Sequence, residues 1–404
     1  MFAVVSCHAS VIILLAIAAA RHLPLRQIDV KNAFLCALVD AIIYIEQPHT
    51  YDEGESRVFQ LRNSLYGIKQ APRLWQQYLY NILLEIGFKQ LPHDPGMYRR
   101  DFRGEYILLT VYVDNLLYTG SSNELLEQFE KNIAGRVDIT CNHVVKQFIG
   151  LDISYSPEAI HLSAAKYAEE LGKRFNIAPT PLSTPSRTLG PNHKPDNKAL
   201  SPAGLHTYQQ QLGCLLFASF FIFTPNVGLC YSTIPTASFN FIGYVDADHA
   251  ADPDNRRSST GFLFRLELSG PISWNSQKQE LVALSSVEAG LIATTAAVRE
   301  GLYLQELPQE AKIPASANFC LHCDNQSAIR IANKPGFVNR TKHIALRYFF
   351  VKDEVDKGKV DPTYCSTGDM AADFLMNRLS RQKYQHCSEL SGVVKRVKTH
   401  YGQE

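Results

Sequence analysis

Six acidic side chains stand where a carboxylate is costly or well placed for chemistry. Asp29 lies in the strand-like QIDVKNAF, and Asp114 sits at the turn of YVDN between two apolar runs. Further along, Asp246 lies in GYVDADHA, Glu288 in ALSSVEAGLI, Asp324 at the end of LHCDN and Asp373 in GDMAADFL. A carboxylate among residues that should be buried costs on the order of several kcal/mol unless a cation neutralises it, and a divalent metal ion is one such partner. Acids converging from separate elements could hold two ions about 3.5–4 Å apart, the arrangement used for phosphoryl transfer. On spacing alone the alternative stays open, that these are ordinary turn, strand-end or surface acids. Asp248 competes with Asp246, since residues two apart on a strand share a face.

These acids need elements to position them. From Leu25 to about Ile160, strand-like and helix-like blocks alternate. RQIDV reads as a short strand, the segment 61–88 becomes a long amphipathic helix after Pro72, and YILLTVYVDNLLYTG (106–120) reads as a hairpin. ELLEQFEKNIA (124–134) puts Leu125, Leu126, Phe129 and Ile133 on one helical face. An α+β domain is implied. Six prolines and no apolar period mark residues 177–204 as a linker, and a helical pattern follows at 208–223. From about 239 to 378 the order strand, turn, strand, strand, helix, strand, helix, strand, helix predicts a second, α/β domain. Its first helix, 283–304, carries Glu288 beside an apolar face of Leu284, Val287 and Leu291, with Ser285 or Ser286 placed to cap it. Asp373 is expected near the start of the last helix. The four boundaries drawn are 1–176, 177–240, 241–378 and a polar, basic tail at 379–404.

Composition narrows the classes. The chain has 404 residues, 46% of them hydrophobic and 20% charged, an ordinary globular mixture. Forty basic against thirty-nine acidic residues give a net charge of +1, so any nucleic-acid partner must be recognised locally. Nine scattered cysteines suggest reduced thiols and an intracellular compartment. Cys320 and Cys323 have the spacing of a metal-binding pair, but on a strand they point to opposite faces. The apolar run VIILLAIAAA (11–20) resembles a signal-peptide core, yet no Lys or Arg precedes it. The expectation is a buried helix and no membrane partner.

The phrases QIDVKNAFL, YIEQP, LRNSLYGIKQAPRLW, YVDN and FIGLDI, in this order, resemble the reverse transcriptase of copia-type (LTR) retrotransposon polyproteins. GYVDADHAADPDNRRSSTG, ISWNSQKQELVALSSVEA, CDNQSAI, NRTKHI and DMAADFL resemble the ribonuclease H domain that follows it. The resemblance implies a polymerase palm at 1–176 with truncated fingers, a linker and shortened connection at 177–240, and a ribonuclease H-like mixed five-stranded sheet with flanking helices at 241–378. It implies Asp29 and Asp114 as polymerase carboxylates, with Gly67, Gln70, Pro72 and Arg73 supporting template and incoming nucleotide. In the second domain it implies Asp246, Glu288, Asp324 and Asp373 as the metal-binding quartet. Arg256, Arg257, Lys278, Lys342 and His343 are either phosphate contacts or ordinary solvated side chains. Two Mg²⁺ or Mn²⁺ ions per site, an RNA template, deoxynucleoside triphosphates and an RNA–DNA hybrid are the implied cofactors and partners.

Two departures accompany the resemblance. The family ends the YVDN turn with two aspartates, and here the second is Asn115. TPNVGLCYS (224–232) stands where the family has an Arg and an Asp. The favoured reading is a polymerase and ribonuclease H fragment whose polymerase is impaired. The alternative is a catalytically inactive relic of a transposable element.

Overall fold

A computed structural model describes residues 5–47, 58–175, 227–232, 238–252, 254–267, 269–333, 342–376 and 379–395. The chain divides into two compact units, Met1–Val145 and Lys146–Glu404.

The first unit opens with α1 (His8–Ala20), which has no polar stripe and is buried almost throughout, as a helix apolar all round must be. No helix among the described residues is long and apolar enough to cross a membrane. The chain then forms β1 (Leu25–Val30), the hairpin β2 (Tyr44–Glu46) and β3 (Val58–Gln60), and α2 (Ala71–Ile86). Next come β4 (Lys89–Gln90), β5 (Met97–Phe102), β6 (Glu105–Tyr112), β7 (Asn115–Gly120), α3 (Asn123–Ala134) and β8 (Ile139–Asn142). Six strands pair in the order β4-β5-β6-β7-β1-β8. Helix α2 starts with a proline in its first turn and stops at left-handed Gly87 (φ +99°), the two ends that each residue type favours. Trp75, Leu79 and Leu83 of α2 and Leu126, Phe129 and Ile133 of α3 share one core with Ile28 and Val30 of β1. Arg26, on the same face of β1, pairs with Glu130 of α3 at 2.8 Å, and the Tyr118 hydroxyl donates to that carboxylate at 2.7 Å. Alternation along β1 therefore sends Gln27 and Asp29 to the other face.

The second unit contains two sheets. Strands β9 (Gln147–Phe148), β10 (Leu151–Ser156) and β11 (Ala159–Ser163) lead into α4 (Ala165–Phe175) and then β12 (Val227–Ser232). The linker expected at 177–204 and the helix expected at 208–223 lie outside the described residues. There follow β13 (Phe241–Asp248), β14 (Ser259–Leu266), β15 (Pro271–Lys278), α5 (Ser286–Glu310), β16 (Phe319–Cys323), α6 (Gln326–Asn333), α7 (Lys342–Asp356) and β17 (Val360–Tyr364). A 3-10 turn (Ala371–Leu375), α8 (Arg381–Leu390) and β18 (Val393–Lys395) complete the unit. The first sheet runs β18-β12-β11-β10-β9 and the second β15-β14-β13-β16-β17. In the second, β14 runs antiparallel to its two neighbours β13 and β15, whereas β16 pairs parallel with β13 and β17 parallel with β16. This is the mixed five-stranded sheet that the resemblance implies.

Two local expectations are corrected. Leu284 does not join the buried face of α5; it precedes the helix and is 83% exposed. The buried face keeps Leu291, continues through Val298, Leu304 and Leu307, and includes the small residues Gly290, Ala293, Ala297 and Gly301. A Cβ at Gly301 would lie 2.3 Å from the Phe319 ring, so the helix lies on β16 at a separation only glycine permits. Asp373 stands on the short 3-10 turn, not in the first turn of an α-helix.

Candidate active sites

In the first unit, β1 and β7 are neighbours and their register sets Asp29 opposite Asn115. Asp114 occupies the two-residue turn between β6 and β7, whose ends Tyr112 and Asn115 pair. Val113, also in that turn, is left-handed at φ +58°, a conformation that a β-branched side chain adopts only at a cost of about 1–3 kcal/mol. The turn is held from outside. The Trp75 indole N–H of α2 donates to the Val113 carbonyl at 2.7 Å, and the Val30 N–H donates to the Asp114 carbonyl at 2.9 Å. Asn115 accepts from Gln27 Nε2 at 2.8 Å and donates to Asp114 Oδ1 at 3.1 Å. The structure thus brings Asp29 and Asp114 to adjoining strand ends and puts a neutral carboxamide between them.

Gly67, Gln70, Pro72 and Arg73 gather at the entry to α2. Gly67 has φ +102°, beyond the reach of an ordinary side chain. Gln70 is the residue preceding the helix and Pro72 lies in its first turn. The Arg73 guanidinium pairs with Asp40 and holds that carboxyl below its usual range. Trp75, on the same helix, links this entry segment to the Asp114 turn.

In the second unit, Asp246 near the end of β13 and Asp324 just beyond β16 line one pocket of about 380 Å³. Parallel pairing of β13 with β16 is what sets the two acids side by side. Burial and the charges of Asp324, Asp373 and Asp248 push the Asp246 carboxyl up to about 7, although the Ala247 N–H, donating to its Oδ1 at 2.7 Å, opposes the shift. The Thr367 hydroxyl donates to Asp324 Oδ2 at 3.1 Å. Asp373 is the most enclosed of the three, at 2% exposure, and forms an ion pair with Lys383 of α8. Asp248, the competitor for Asp246, pairs across with Ser259 and is not among the residues lining the pocket.

Glu288 is not brought to this cluster. Its carboxylate accepts from the Leu284 N–H at 2.8 Å, while Ser285 accepts from the Glu288 N–H at 3.2 Å. The pair follows the logic of a capping box, except that the carboxylate takes the N–H of Leu284, one residue before the N-cap Ser285. The S-x-x-E pattern that announces it, Ser285 to Glu288, was present in the sequence. From α5 the pocket receives Ser286, Gly290 and Ala293 instead. Lys383 is the residue that sequence reasoning missed, because its approach depends on how the tail folds back.

Arg256 and Arg257 lie exposed in the turn between β13 and β14, apart from the pocket. Lys278 pairs with Asp252 in the same region and holds that carboxyl down to about 2. The side chains of Lys342 and His343 lie outside the described residues. Alternation along β16 leaves Cys320 half-buried on one face and Cys323 buried on the other. Hard divalent cations of the Mg²⁺ and Mn²⁺ class take oxygen donors; Asp246 and Asp324 offer them in the pocket, while among the described residues no group of three or more His, Cys, Asp or Glu is placed to hold a metal ion.

Residues 1–186 match the family described as reverse transcriptase (RNA-dependent DNA polymerase). The chain is 31% identical to the retrovirus-related Pol polyprotein from transposon TNT 1-94 of Nicotiana tabacum, over 94% of this chain and 32% of that protein. It is 30% identical to the corresponding polyprotein from transposon RE1 of Arabidopsis thaliana, over 96% of this chain and 28% of that one. A putative transposon Ty5-1 protein of Saccharomyces cerevisiae is 27% identical over 67% of this chain and 99% of its own length. The chain spans about a third of the length of the plant polyproteins, 32% and 28%. Among solved structures, a foamy viral protease-reverse transcriptase in complex with an RNA/DNA hybrid aligns with 85% of this chain and 44% of its own, at 12% identity and a TM-score of 0.45.

Proposed function

From a chain that belongs to the copia-type retrotransposon Pol polyproteins, with a reverse transcriptase segment at residues 1–186, we propose the reverse transcriptase and ribonuclease H portion of such a polyprotein. Its second site hydrolyses the RNA strand of an RNA–DNA hybrid, and its first site is an impaired polymerase. The observation that carries this reading is the meeting of Asp246 and Asp324 in one pocket, with Asp373 close enough to raise Asp246, at the end of a mixed five-stranded sheet.

A divalent Mg²⁺ or Mn²⁺ ion, when bound, supplies an activated water and offsets the phosphate charge. The chain's own contribution is to hold carboxyl oxygens at fixed positions. Asp246 and Asp324 are fixed by neighbouring strands, and Thr367 orients Asp324. At the first site Asp29 and Asp114 are the remaining carboxylates, and the neutral Asn115 oxygen accepts from Gln27 Nε2. Loss of one acid charge weakens that site's hold on metal and triphosphate, which supports impaired polymerisation on an RNA template with deoxynucleoside triphosphates. Gly67, Gln70, Pro72 and Arg73 would support the template there.

A second reading, an inactive relic, is favoured by one specific observation, the commitment of Glu288 to a helix cap. One assay separates the two. Purified protein is incubated with end-labelled RNA annealed to a DNA primer, nucleotides and Mg²⁺ or Mn²⁺, and primer extension and RNA cleavage are followed together. The expected result is cleavage with little extension. Asp324→Asn should lower cleavage by at least about a hundredfold while leaving the fold intact; unchanged cleavage in that variant would remove the assignment. Neither signal from a folded protein would establish the relic.

A further inference from the structure

We infer that α7 is a self-association surface, on which a second copy of this chain lays its own α7 antiparallel about a two-fold axis at Phe349. The inference goes beyond the ribonuclease H reading and does not depend on it.

The helix is buried on one side only. Tyr348 and Val351 are 3% and 1% exposed, and Glu354, next along the same side, is 7% exposed. On the opposite side Leu346 is 74% exposed and Phe349 55%. Asp353 and Asp356, also exposed, continue from them at helical intervals, so the four side chains form one stripe down the outer side. Alternating steps of three and four residues are the repeat with which one helix meets another. Single apolar residues scattered on a surface need no explanation. Here two large ones stand one turn apart, and Phe349 lines a depression of about 450 Å³ together with Phe350, Lys352, Asp353 and Asp356.

Charge says what covers this stripe. The first turn of α7 has no acid and the last has no base. Lys342, His343 and Arg347 fall in the first half of its sequence, whereas Asp353, Glu354 and Asp356 fall in the last turn. A helix favours the reverse, acids at its N-terminus and bases at its C-terminus. Lys352 meets Asp356 at 2.7 Å and Lys357 meets Asp353 at 2.5 Å, but both acids are exposed, and ion pairs of that kind contribute little. An antiparallel copy supplies what is missing at both ends. Its acidic end lies along the basic end of this helix, its basic end along the acidic one, and the two dipoles oppose.

Such a contact uses the same patch on both copies and closes as a dimer. With the axis at Phe349, the two Phe349 rings meet at the centre, where aromatic anchors contribute most. Leu346 of the second copy comes level with Lys352 and Asp353, over the depression, and position 342 of each copy comes level with Asp356 of the other. One helix pair buries less than a standard interface, so the dimer is a weak one.

Sedimentation velocity on the full chain, from about 1 to about 200 μM, is the test. The expected result is a monomer–dimer equilibrium with a Kd on the order of 10 μM, weakened at least about tenfold by Phe349→Glu. Asp353→Lys together with Asp356→Lys sets bases against bases and should weaken it as much, and adding Lys342→Glu to that double variant should restore it. Lysines suit a helix C-terminus, so association lost in the double variant is not a fold lost; circular dichroism checks this for each variant. A monomer throughout the range would leave the stripe to a different protein and overturn the inference. Aggregates that do not close at two copies, a dimer indifferent to Phe349→Glu, or a double variant that still dimerises or is not rescued by Lys342→Glu would each overturn it as well. If Phe349→Glu fails to fold, the charge reversal and its rescue decide alone.

Discussion

Asp246 shows what a carboxylate gives up to sit in this pocket. Its carboxyl is pushed from about 3.8 to about 7, first by burial and then by the charge of Asp324. The sign of the consequence follows from proton counting. Between those two values the folded chain keeps a proton that the unfolded chain has released, so stability falls as pH rises through that window. Three units correspond to about 4 kcal/mol at most, since each unit is worth roughly 1.4 kcal/mol. In the presence of a chelator, Asp246→Asn should therefore be more stable than its parent above pH 7, by a few kcal/mol, with the difference vanishing at pH 4. Urea denaturation at the two pH values reads this directly. Equal stability at pH 8 would mean that the carboxylate is solvated and not pressed by its neighbours. An acidic side chain whose removal stabilises the metal-free protein is one retained for something other than folding.

At the scale of the element, α5 separates the structural from the chemical role of an acid. Ser285 accepts from the Glu288 N–H while the Glu288 carboxylate accepts from the Leu284 N–H, so Ser285→Ala should cost about 1 kcal/mol. Glu288→Gln, which keeps an acceptor at the same place, should cost less than about 0.5 kcal/mol and leave Mn²⁺ affinity unchanged within roughly twofold. A tenfold loss of affinity in Glu288→Gln would return that residue to the metal site. The same helix shows where sequence is readable. The hairpin at 106–120, α2, α3 and the strands β13, β14 and β15 follow from local periodicity, because each buries one face against one neighbour. Asp29, Asp114, Asp246 and Asp324 are legible for a related reason, being acids at the ends of apolar strands. The hydrogen bond of Glu288 to the Leu284 N–H was not legible because a helix start admits two uses of a glutamate, a cap or a ligand, and the sequence pattern is the same for both. Lys383 was invisible because the residues that bring it to Asp373 are about ten positions away in sequence and joined only by the fold of the 366–387 segment. The sheet β18-β12-β11-β10-β9 was equally hidden, since its strands are short and drawn from three distant stretches of chain.

For the whole molecule, the division at Val145 places the two carboxylate clusters in different compact units, each with its own sheet and core. Asp29 and Asp114 are held by β1, β7 and the Trp75 contact, all within the first unit. Asp246, Asp324, Asp373 and Lys383 are held by β13, β16, the 3-10 turn and α8, all within the second. Sites supported by separate elements with no shared partner should respond additively to substitution, within about 0.3–0.5 kcal/mol. Divalent ions bind and stabilise folded states by mass action, so each unit should gain stability only from its own site. Calorimetry of the full chain should then resolve two transitions. Adding Mn²⁺ should raise both, Asp324→Asn should remove the rise from one alone, and Asp29→Asn should remove it from the other. A single transition abolished or shifted as a whole by either substitution would mean that the two units unfold as one body and that their sites are coupled. In that case, loss of acid charge at Asn115 would weaken the second site as well as the first.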